Sequence, residues 1–147
     1  MRGIKAEGGS AVVNTEWCSV HPSSDTNLTA NVRLRTDEDG RTNALMTETV
    51  HRYDALAGCE LAHAGLYAHN RYTRIPAMGP PSVLSCLRIP PVRTARWTRR
   101  IYGRYARWYR YAVSRRVIEA QFGLAYVYVG YTDHLYRLSF ATDQSAH

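Results

Sequence analysis

The chain has 147 residues, 45% of them hydrophobic, and a formal net charge of +7. Such a length suits one domain of ordinary size with a real core, and the hydrophobic content argues against wholesale disorder. The strongly basic balance bears on partners and solubility rather than on fold.

The charge is unevenly placed. Residues 1–70 carry six Lys or Arg against nine acids, and residues 71–147 carry thirteen Arg against three acids. No acid lies between Glu60 and Glu119. This asymmetry predicts a C-terminal half that faces a polyanion or a membrane surface. Eighteen of the nineteen basic residues are Arg, a skew that nucleotide bias explains as well as phosphate recognition does. Cys18, Cys59 and Cys86 are too far apart for a redox or zinc knuckle, which fits a reducing intracellular compartment, cytoplasm or organelle matrix. The longest uncharged stretch, residues 120–132, falls short of the roughly 17–25 residues of a transmembrane span.

In chain order, residues 1–10 read as a loose tail and residues 11–20 as a strand. Ala30, Val32 and Leu34 alternate with Asn31, Arg33 and Arg35, the period-2 pattern of a half-buried strand. Residues 36–40 have turn chemistry, and Ala44, Met46, Glu48 and Val50 alternate after them. Together these predict an N-terminal β-hairpin. Residues 54–69 read as a short helix capped by Asp54, with Leu56, Cys59, His63, Leu66 and Tyr67 on one face.

Five prolines between residues 73 and 92 predict a linker or extended arm. Residues 93–114 then read as a basic amphipathic helix. At helical spacing Arg96, Arg99, Arg100, Arg104, Arg107 and Arg110 share one arc, opposite Trp97, Tyr105, Trp108 and their apolar neighbours. Arg115 and Arg116 extend the basic run. Beyond it, Leu124, Tyr126 and Tyr128 alternate with Ala125, Val127 and Val129, and residues 135–140 read as a returning strand of a C-terminal β-hairpin. The expected fold class is therefore α+β, laid out as residues 1–72, a proline-rich arm over 73–92, and a basic part over 93–147.

The arginines of this helix repel one another at i,i+3 and i,i+4 spacing, at a cost of about 0.2–0.5 kcal/mol per pair. An external anion would relieve them, and so would the acidic run Asp37-Glu38-Asp39 folding against them. With phosphate as the anion, Trp97, Tyr105 and Trp108 would pack or stack beside the stripe. Cys59 and His63, four apart, have the spacing of a metal pair on a helix, but lack further ligands, so packing explains them and no metal or cofactor is expected. His51 with Asp54 is the nearest approach to an acid/base pair, and no Gly-rich phosphate loop, G-x-S-x-G elbow or H-E-x-x-H is present.

The tripeptide Leu135-Tyr136-Arg137 names the LYR family of mitochondrial proteins, where it opens a three-helix domain. Ten residues follow it here, and no family is read from the sequence. The expected function is a non-catalytic, basic structural subunit that contacts RNA or another polyanion. The alternative is an accessory subunit on the surface of a membrane protein complex, for example mitochondrial, with the basic helix against anionic lipid or an acidic partner subunit.

Overall fold

The structure is a computed structural model that describes residues 1–25, 32–65, 68, 70, 72–79, 95–96 and 99–128. Three strands dominate it: β1 (Val12–Ser19), β3 (Leu56–Ala62) and β6 (Leu124–Val127). They lie side by side and parallel, and a two-residue β2 (Val32–Arg33) pairs parallel with the end of β1, giving the order β2-β1-β3-β6. Parallel neighbours need crossover connections, and those leading to β3 and β6 carry helices. Helix α2 (Asp37–His51) joins β2 to β3, and α3 (Arg99–Tyr111) precedes β6. A six-residue helix α1 (Arg2–Glu7) stands where the loose tail was expected. A second small parallel pair joins β4 (Met78–Gly79) to β5 (Ala95–Arg96).

This architecture overturns the expected α+β arrangement of two hairpins. The N-terminal hairpin is absent because its second half is α2. Thr36 accepts from the backbone N–H of Asp39, while the Asp39 carboxylate accepts from the N–H of Thr36. This reciprocal capping box, with Asp37, Glu38 and Asp39 in the first turn, favours a helix start over a turn. The residues α2 buries are Gly40, Asn43, Thr47 and Val50, at helical spacing, so the alternation of Ala44, Met46, Glu48 and Val50 was coincidental. Ala30 and Asn31 lie outside the described residues.

The helix expected over residues 54–69 is β3. Asp54 does not cap it; at φ 55° it closes the turn after α2. Gly58 suits this strand because a Cβ there would run into the side chain of Asn14 on β1. The expected C-terminal hairpin fails as well. Its first strand exists as β6 but pairs in parallel with β3, and residues 129–147 lie outside the described part. The basic helix is present over Arg99–Tyr111 and continues into a π-helical stretch, Ala112–Val117. Ala95 and Arg96 fall in β5, and Trp97 lies outside the described residues.

The core sits between the sheet and its helices. Ala57, Cys59 and Leu61 of β3 pack in one cluster with Val13 and Cys18 of β1, Val50 of α2, and Ala112 and Val117 beyond α3. The Thr47 hydroxyl ties α2 to the end of the second crossover by donating to the carbonyl of Ala120 at 2.6 Å. The opposite face of the sheet carries no helix among the described residues. Val12, Leu56 and Leu124 are exposed there or at its margins.

Candidate active site at the carboxyl ends of the strands

In parallel sheets with helical crossovers, ligands gather at the carboxyl ends of the strands. Here that edge carries a dense polar network built by the segments following β1 and β3. Asn70, held at φ 47°, accepts from the N–H of Asp25 and donates to the carbonyls of Ser23 and Ile75. The Asp25 carboxylate accepts from the N–H groups of Tyr72 and Thr73. The Arg35 guanidinium donates to Ser19 Oγ at 2.6 Å and to the carbonyl of Ser24 at 3.2 Å. These bonds lock the two segments together.

Within that frame, Ser23 Oγ lies 2.8 Å from His21 Nδ1 and 2.8 Å from His63 Nε2. Helix α3 covers the pair with aromatic rings. Trp108 stacks on His21 with ring centroids 3.6 Å apart, and Tyr105 leans on His63 at 4.6 Å. Burial pulls His63 down to about 3, with the nearby His21 and the Arg35 charge acting in the same sense. Burial and Arg35 pull His21 down to about 4. Both imidazoles are therefore neutral at ordinary pH. Burial also pushes the Tyr105 phenol up, so it stays protonated.

On the helix-free face, Trp17, Glu60 and Tyr126 are register partners across β1, β3 and β6. The Tyr126 hydroxyl donates to Glu60 Oε2 at 2.7 Å, and the Trp17 and Tyr128 rings stand 5.9 Å apart. The Tyr126 phenol is pushed up to about 12, by desolvation first and by the Glu60 carboxylate next, so it remains a donor.

The cysteines Cys18 and Cys59 are free thiols, fully buried on the helix side. Cys18 ionises before Cys59, because Cys59 and Thr15 hydrogen-bond its sulfur. Cys59 is pushed up by the same pairing and by burial. His63 lies just past the end of β3, and no group of three or more His, Cys, Asp or Glu among the described residues could hold a metal.

The arginine stripe is only partly described. Arg104, Arg107 and Arg110 are exposed and line a cavity of about 910 Å3 beside His21 and Trp108. Arg115 lies over the Tyr111 ring at 5.9 Å. Arg99 and Arg100 open α3, Arg116 sits in the π-helical stretch and Arg96 in β5. Within the acidic run, Asp39 serves the capping box and faces Arg33 at 3.8 Å. Of the expected stacking aromatics, Tyr105 and Trp108 are used internally, on the two histidines. Ser19, His21 and Asp25 read from the sequence only as polar neighbours in a loop, and Ser23, Arg35, Asn70 and the Glu60–Tyr126 pair were missed. A further signal was the apolar run of residues 55–62, which suits a buried parallel strand and would have placed Glu60 and His63 at its carboxyl end.

The chain is 44% identical over 79 residues to dimethylamine dehydrogenase from Hyphomicrobium sp. (strain x), a match covering 54% of this chain and 11% of that protein. Its structure is similar to that of 6-hydroxypseudooxynicotine amine oxidase from Pseudomonas geniculata N1. That match has a TM-score of 0.80 and 33% identity, over 86% of this chain and 19% of the other. Histamine dehydrogenase from Rhizobium sp. 4-9 matches with a TM-score of 0.75 and 30% identity, over 86% of this chain and 20% of the other. Old Yellow Enzyme from Pichia sp. AKU4542 shares the fold at a TM-score of 0.70 and 16% identity, over 80% of this chain and 33% of the other. The chain thus spans between about a tenth and a third of the length of these relatives, and its parallel strands and helices match part of a TIM-barrel-like oxidoreductase fold. These likenesses overturn the expectation of a non-catalytic subunit contacting RNA, another polyanion, acidic subunits or a membrane complex: the proteins this chain resembles are oxidases and dehydrogenases. The missing catalytic signature misled because this fold assembles its site from several strand ends rather than from one short motif. Residues 2–87, more than half of the sequence, match the NADH:flavin oxidoreductase / NADH oxidase family, and the chain belongs to that family.

Proposed function

We propose that this chain forms part of the barrel of a flavin-dependent enzyme that oxidises amines. One observation carries the reading. Three relatives at 30% identity or more are each named for an amine-oxidising activity, and two of them superpose on this sheet with its helices.

The residues on the helix-free face fit a flavin. A flat heteroaromatic ring needs broad apolar walls with a few placed donors and acceptors. Trp17 and Tyr128 supply aromatic surface, the Glu60 carboxylate an acceptor and the Tyr126 hydroxyl a donor. These four side chains would hold the ring. A flavin, when bound, supplies the two-electron acceptor for amine oxidation. Glu60 fixes the Tyr126 hydroxyl by accepting its hydrogen bond, and the phenol's raised pKa keeps the proton on the oxygen. The carboxylate also places negative charge where a cationic amine would approach. Behind the sheet, the buried core cluster keeps the strand register, and hence the spacing of the four side chains, fixed.

The test is to purify the protein, add free flavin mononucleotide, and follow flavin fluorescence and the bleaching of its visible absorbance by dimethylamine or histamine. Saturable flavin binding that weakens at least tenfold in Glu60→Ala/Tyr126→Phe is the expected result. Binding unchanged in that variant, or none in a folded protein, rejects the reading for this chain.

A further inference from the structure

The two histidines and Ser23 form a hydrogen-bond chain whose direction the geometry settles. The backbone N–H of Gly65 donates to His63 Nδ1 at 2.9 Å. The backbone N–H of Ser23 donates to His21 Nδ1 at 3.2 Å. A backbone N–H can only donate, so both Nδ1 atoms are bare and each neutral ring carries its proton on Nε2. His63 Nε2–H therefore donates to Ser23 Oγ, and the Ser23 hydroxyl donates to His21 Nδ1. The chain ends at His21 Nε2–H, on the side of the ring away from Ser23. His21 is one wall of the 910 Å3 cavity.

The rest of that cavity has a distinct chemistry. Ile75, Pro76, Met78, Trp108 and Tyr111 make its surface largely apolar. Arg104, Arg107 and Arg110, one turn apart along α3, line it as well, with the Arg107 Nε–H donating to the carbonyl of Gly103. No acid is among the described residues that line it. Such a site repels a cationic amine. Beside the Ser114 and Tyr111 hydroxyls, its donors are an imidazole N–H fixed in one tautomer and planar guanidinium forks suited to a carboxylate.

We propose that this cavity is a binding site for a small carboxylate with an apolar body, its carboxylate taken by His21 Nε2–H and the α3 arginines. The relay from Gly65 through His63 and Ser23 positions the His21 donor, since protonating either Nδ1 would break a backbone hydrogen bond. The Trp108 ring stacked on His21 holds it from one face. Feature by feature, this inference is independent of the amine-oxidase reading, because it uses none of Trp17, Glu60, Tyr126 or Tyr128.

Benzoate, its uncharged analogue benzamide and inorganic phosphate are the probes, read by calorimetry on the purified protein. Benzoate should bind saturably and at least tenfold more tightly than either of the others. His21→Phe keeps the stack on Trp108 while removing the donor, and should weaken benzoate at least tenfold, as should Arg104→Gln/Arg107→Gln. Equal binding of benzamide, or of phosphate, overturns the proposal, as does unchanged affinity in His21→Phe. Should that variant not fold, the imidazole nitrogen signals of the parent protein decide. They must show the Nε2–H tautomer at both histidines, and the His21 Nε2–H signal must move as benzoate is added; a static signal or the other tautomer overturns it.

Discussion

The two crossover units, β1–α2–β3 and β3–α3–β6, do the same topological job with opposite means. In the first, the helix is specified locally. A capping box starts α2, acids line its first turn, and a short apolar-and-small face, Asn43, Thr47 and Val50 among it, meets the sheet. Six residue pairs then align β1 with β3. In the second unit the helix opens with arginines and no acid, and strand β6 aligns over four pairs. What fixes α3 is its aromatic face, stacked on His21 and His63 at the end of the first unit. The first unit is encoded mainly within itself, whereas the second is held by what the first presents to it. The family match, over residues 2–87, falls on the first unit and ends before α3.

The largest expected effect comes from the shared core. Leu61→Ala removes a fully buried side chain from β3, the strand common to both units, and should cost about 2–5 kcal/mol of stability. Urea unfolding followed by far-ultraviolet circular dichroism would show both units lost together. Loss of α3 signal alone would break the comparison, since it would make the second unit independent of the sheet.

Acid should loosen the joint between the units next. The folded pKa values of His21 and His63 lie below the ordinary histidine value, so the unfolded chain binds protons first as pH falls. Their stabilising contribution is complete above about pH 6.5 and is lost as pH falls through 6.5 towards 4 and 3. Between pH 7 and 5 stability should fall by about 1–2 kcal/mol, most of it from the more deeply buried His63. Urea midpoints across that range check this, and His63→Gln should flatten the dependence. A flat profile in the parent protein would mean that the histidines are not the joint.

The smallest effect sharpens the local side of the contrast. Thr36→Ala removes the side-chain half of the capping box and should cost about 1 kcal/mol. Amide exchange should speed up in the first turns of α2 and stay unchanged over Arg99–Tyr111. Faster exchange in α3 would show that it leans on α2 rather than on the histidine network.

Some of this was legible in the residues alone. The β1 strand, the amphipathic separation of α3 and the β6 strand follow from local periodicity, which depends only on side-chain polarity and backbone repeat. The capping box was legible too, but the period-2 alternation downstream competed with it, and tertiary burial of Asn43 and Thr47 decided for the helix. Residues 54–62 carried both a helical spacing and a buried-strand run. Short apolar segments do not separate these states, because the deciding hydrogen bonds come from β1 and β6, far away in the chain.

The candidate site was the least legible part. The sequence by itself determined a basic, aromatic helix, a charge asymmetry and a core of ordinary size. Only the tertiary structure decided that the strands run parallel and that His21 and His63, 42 positions apart, share one serine. It likewise set Glu60 against Tyr126, and gave the helix aromatics a pair of imidazoles rather than nucleic-acid bases. The physical reason is that strand direction and side-chain convergence are set by crossover connections, and a pattern of local polarity carries no information about which distant segment arrives alongside.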